Sequence, residues 1–276
     1  MTDRASIAPP PADERPAVER LVDVADTIFA RASSLEGLKL GRGQEEAHKV
    51  VAEGREAAFR SAVALWRVIL SMLPTSGLDQ ARRKELVMDG YKVMSRACHR
   101  LGELEEAERH ITRAIDAGYL DGFISLGAIC LDRKDWDAAE RAFRSALAKN
   151  VQAMRAHAGL GELYFAIGTA KLKDDPTHKE YFVKAEEEFV IAGKERFTEG
   201  YERAMELFET IGWKDRAAAI GARLAQHYSD NRSRYGERLR VLDKRIRRLA
   251  GDERYEKIVT GFGRRLGDIL RGKEPK

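Results

Sequence analysis

Residues 119–151 read YLDGFISLGAICLDRKDWDAAERAFRSALAKNV, and this stretch decides the fold. Phe123, Leu126 and Cys130 recur at helical spacing, which predicts one helix with an apolar face. Ala139, Phe143 and Ala146 repeat the signal four and then three residues on, which predicts a second. Between them RKDWD is polar and turn-like. Two short amphipathic helices on so short a turn bury their stripes against each other, because neither can do so alone.

The pattern recurs along the chain. Ala107, Ile111 and Ala114 match the second helix, as do Ala185, Phe189 and Ala192. Ala62, Trp66 and Ile69 carry the same spacing near the N-terminus, and a fourth unit over 198–227 is marked by Tyr201, Phe208, Gly212 and Ala217. The lead alanines fall at 107, 139, 185 and 217; the first and last intervals are equal, and the middle one is stretched by TAKLKDDPTHKEY. Pro176 in that insertion predicts a first helix that runs on and then gives way to a loop. Regular recurrence at about this length marks a solenoid of stacked hairpins.

Leu126–Gly127 with Ala139, Phe143 and Ala146, and Leu160–Gly161 with Ala185, Phe189 and Ala192, resemble the tetratricopeptide repeat, a helix–turn–helix unit of about 34 residues. Val151 stands where that family usually ends its unit on proline. The resemblance implies an all-α, right-handed superhelical solenoid, with first helices lining a concave groove that holds another protein as a peptide or helix. It implies no enzymatic activity and no cofactor. Carried onto this chain, the groove positions that matter most are Lys92, Arg96 and Arg100, then Ile124 and Leu131, then Arg155 and Phe165, and last Glu199, Glu202, Glu206 and Glu209. Such a groove is basic at one end, apolar in the middle and acidic at the other, and favours a segment of complementary charge. Lys92 fits the clamp with which some members hold a terminal carboxylate, but Arg96 replaces the expected Asn.

Four segments follow: a Pro/Ala-rich tail expected to be disordered (1–16), N-terminal helices forming a degenerate repeat or cap (17–74), the repeats (78–227), and a basic amphipathic helical end (228–276). Residues 232–276 hold 15 Lys and Arg against 7 Asp and Glu, so this end alone makes the chain basic. Leu239, Leu242, Ile246 and Leu249 share one face there, while Arg238, Lys244, Arg245, Arg247 and Arg248 crowd the others. This end leaves three roles open: a cap on the last repeat, a fold-back onto the Glu199–Glu209 stripe, or a contact for an acidic partner. Through the last, the five cations support a second reading, a regulator that binds nucleic acid as a polyanion. Interleaved aromatic platforms for stacked bases are missing. Self-assembly through the terminal helices is compatible with both readings.

Catalysis needs converging groups, and the sequence offers none. The six histidines are scattered, with no HExxH or Cys/His metal spacing. SSLEGLKLGRG (33–43) lacks the Gly-Lys-Ser/Thr ending of a phosphate loop. Cys98 and Cys130, 32 residues apart, are expected to pack as small apolar residues. No run of 18 apolar residues and no apolar leader is seen, so the expectation is a cytoplasmic protein without a membrane span.

Overall fold

Ala107, Ala139, Ala185 and Ala217 are all fully buried, and so are Ala62 and Trp66. The recurrent alanine thus marks the tightest point of each hairpin, where a larger side chain would hold the helices apart. The computed structural model describes residues 15–37, 45–172, 175, 177–194, 198–229 and 232–261. Most of the expected tail, Pro176 and the apolar residues beyond 261 lie outside them. Among the described residues there are twelve α-helices and no strand, and consecutive helices pack as neighbours within two units, 1–135 and 136–276.

The first unit holds α1 (Ala17–Ser34), α2 (Glu45–Met72), α3 (Gln80–Arg100), α4 (Leu104–Asp116) and α5 (Gly122–Asp132). Its core joins Phe29, Phe59, Trp66 and Ile69 to Leu86, Met94, Cys98 and Ile111. Phe29 and Phe59 sit 5.5 Å apart between α1 and α2. Residues 46–75 form the one described segment long and apolar enough to cross a membrane by length and composition. Arg60 and Arg67 interrupt its apolar run. Its apolar face is spent here on the core, through Phe59, Ala62, Trp66 and Ile69.

The second unit holds α6 (Trp136–Ala148), α7 (Ala153–Lys171), α8 (His178–Lys194), α9 (Thr198–Thr210), α10 (Lys214–Ser229), α11 (Arg232–Ala250) and α12 (Asp252–Gly261). The long α7 is the extended first helix expected from the insertion. Asp175 follows it, accepting from Lys171 Nζ at 2.8 Å and from Thr177 N at 2.8 Å. These bonds to its charged form hold Asp175 well below the usual carboxylate range. Gly161 lets α8 close in: a Cβ there would lie 2.7 Å from the Phe189 ring.

One turn motif recurs at the hairpins. Glu103 N bonds Cys98 O, Asp135 N bonds Cys130 O and Trp213 N bonds Phe208 O, each at 2.9 Å. Gly102, Lys134 and Gly212 supply the left-handed residue just before, at φ 75°, 62° and 79°. Tyr119 N to Ala114 O and Val151 N to Ala146 O repeat the motif between hairpins. Each such bond satisfies a helix-end carbonyl and reverses the chain.

Candidate functional site

Helix α9 divides its residues cleanly. Tyr201, Ala204, Met205 and Phe208 are buried against the neighbouring helices, and Glu199, Glu202, Glu206 and Glu209 share the other face. Beside that face run α10, ending in the buried Tyr228, and α11, anchored by Leu239, Leu242 and Ile246. The three helices enclose a cleft of about 510 Å³. Met205, Leu224 and Leu242 give it an apolar floor; Glu202, Glu206, Glu237, Arg238 and Arg245 form its polar walls.

Three of the four glutamates are already engaged. Arg245 donates Nε to Glu209 Oε1 at 2.8 Å and Nη2 to Oε2 at 2.9 Å, a bidentate pair. These bonds draw the Glu209 carboxyl below its ordinary range and push the Arg245 guanidinium up. Tyr228 donates its hydroxyl to Glu202. Burial first, then that carboxylate, pushes the Tyr228 phenol up to about 12, so it remains a donor throughout the physiological range. Glu206 is the most exposed of the three, its side chain 62% accessible, and accepts from Arg203 Nη1 of its own helix at 3.3 Å. Val241, 60% exposed on α11, adds an apolar edge to the same mouth.

The predicted basic end lies in the first unit and meets α1 and its 3₁₀ extension. Arg96 stacks over the Phe29 ring at 5.0 Å, and Arg100 Nε lies 3.3 Å from Glu36. Lys92 pairs with Asp89 and approaches the Tyr119 ring at 5.6 Å. Ile124 and Leu131 are half-buried on α5. In the second unit Arg155 is exposed and donates to Gln152 at 2.9 Å. Phe165 corrects the expectation: at 8% exposure it is core, packed on Phe182 at 5.3 Å and Phe208 at 6.2 Å. The reason is that α7 touches α6, α8 and α9, leaving no open side at Phe165.

The five cations of the second reading differ in their surroundings. Arg245 is spent on Glu209, and Arg238 faces the acidic cleft. Arg247 lies over the Tyr255 ring at 4.2 Å and 3.4 Å from Asp252. Lys244 and Arg248 are exposed. Sequence reasoning missed Tyr228; its signal was a phenol at an apolar-periodic position, where a buried body carries a polar tip. Among the described residues no group of three or more His, Cys, Asp and Glu is placed to hold a metal ion. Cys98 and Cys130 are buried free thiols, and burial pushes the Cys98 thiol up to about 11, so it is a poor nucleophile.

No protein-family model matches this chain, and no curated protein matches it.

Proposed function

We propose that the chain is a non-enzymatic interaction module, an adaptor or scaffold of tetratricopeptide-like hairpins, and that the cleft between α9, α10 and α11 holds a segment of a partner protein. The single observation that carries this is the cleft's make-up. An exposed carboxylate at Glu206, met only by the exposed Arg203 of its own helix, stands beside an exposed Val241 and an apolar floor, all mounted on packed helices. Rigid helices presenting such a surface bind without bond-making and lose little entropy on binding. The carboxylates Glu202, Glu206 and Glu237 select for a basic residue, and Met205, Leu224 and Val241 for an apolar neighbour.

The test is selection of short peptides on the intact protein, followed by fluorescence anisotropy on the winners. The expected winners pair Arg or Lys with a large apolar residue, and Glu206→Lys weakens them by about tenfold or more. Winners without a basic residue, or with affinity indifferent to both Glu206→Lys and Val241→Asp, would defeat the proposal.

A further inference from the structure

A second cleft, of about 750 Å³, opens where the starts of α8, α10 and α12 meet the end of α11. Lys179, Lys214, Arg216 and Arg254 line it, against a single carboxylate, Asp215. Its apolar lining is Trp213, Leu249 and Ala250. Trp213 is fixed by Phe182 at 5.0 Å and Phe208 at 6.1 Å, so this wall is rigid. The cations are not equivalent. Arg254 donates to both oxygens of Asp215, and Arg216 donates to Glu186 at 2.7 Å while lying over Trp213 at 5.1 Å. Lys179 and Lys214 are exposed and have no ion-pair partner among the described residues. Unpaired like charges around one hollow repel each other, and a bound anion removes that cost.

We propose that this cleft binds a small organic phosphate, a phosphomonoester whose carbon part lies on Leu249, Ala250 and the edge of Trp213. The choice of phosphate over carboxylate follows from Asp215. A carboxylate ligand would compete with a resident carboxylate for Arg254 on equal terms. A phosphomonoester carries about −1.5 to −2 charge and three acceptor oxygens, enough to engage both free lysines and share Arg254. This site is independent of the cleft between α9, α10 and α11, and of the partner proposed for it.

Isothermal titration of the full chain with phenyl phosphate, pyrophosphate and benzoate at matched ionic strength tests the proposal, with Trp emission followed in parallel. Phenyl phosphate is expected to bind saturably, more tightly than pyrophosphate and much more tightly than benzoate. The double variant Lys179→Glu/Lys214→Glu should weaken phenyl phosphate by about tenfold or more, since even one lost charge-assisted bond is worth that much. Asp215→Asn should act in the opposite sense and tighten it several-fold by freeing Arg254. Circular dichroism confirms that each variant is folded. Equal binding of benzoate, no saturable heat with either phosphate, or an affinity unmoved by the two variants overturns the site. So does tight binding of a single-stranded DNA oligomer with none of phenyl phosphate, because that would mark a face for a long polyanion instead.

Discussion

His110 is a titratable ring buried without a hydrogen bond. It is 7% exposed, stacks on Tyr91 at 6.0 Å, and neither ring nitrogen has a hydrogen-bond partner. Burial therefore lowers its pKa from the ordinary 6.5, helped by Arg67 and Arg113 and opposed by Glu106. A histidine with a lowered folded-state pKa binds its proton more readily when unfolded. Its penalty is absent above the ordinary value and grows as pH falls below it. Urea unfolding should accordingly show stability lost between pH 7.5 and 5, and His110→Phe should remove much of that loss. The Arg245–Glu209 pair works at lower pH. The Glu209 pKa is depressed, so its contribution is present above the ordinary 4.5 and is lost as pH falls through the folded value. The pair is partly solvated, so Arg245→Met should cost about 1 kcal/mol or less at neutral pH.

At the scale of the elements, closeness of packing and the geometry of turns carry the stability. Gly161→Ala would set a Cβ 2.7 Å from the Phe189 ring and force α7 and α8 apart; the expected loss is about 1–3 kcal/mol by denaturant unfolding. Lys134 occupies at φ 62° the turn position that Gly102 and Gly212 fill elsewhere. A side chain is strained there, so Lys134→Gly should be neutral to stabilising, by up to about 1 kcal/mol. A clear loss of stability on thermal unfolding would show that the Lys134 side chain has a role of its own. The turn was legible in RKDWD, but its left-handed residue was not, since Lys gives no such signal.

For the whole molecule, the basic end proves to be part of the packed array. Leu239, Leu242 and Ile246 are buried as α11 lies along α10, and α12 packs on both through the buried Tyr255. Cutting the chain before Arg232 would uncover Leu224 and Tyr228. The expected outcome is a lower melting temperature and binding of a hydrophobic dye, beyond any loss of charge. Deletion therefore cannot test polyanion binding by itself. Exposed cations such as Lys244 and Arg248 are the ones to substitute, and the expected effect is a shallower salt dependence without loss of fold.

The sequence by itself determined the helices, their order and their contact points. The recurrent Ala and the large apolar residue four on depend only on local periodicity and on the need to bury one face. It also placed the four glutamates on one side of α9, because 3.6 residues per turn leaves no other arrangement. What only the tertiary structure decided is which charges are answered from a distant part of the chain. Glu209 is answered by Arg245, 36 residues away, and Glu202 by Tyr228, 26 residues away, while Glu206 meets only Arg203 of its own helix. Phe165, on the face that the repeat pattern gives to a groove, lies in the core for the same reason. A helix's own pattern shows which faces it has, but the neighbours that cover them are set by packing between elements distant in the chain.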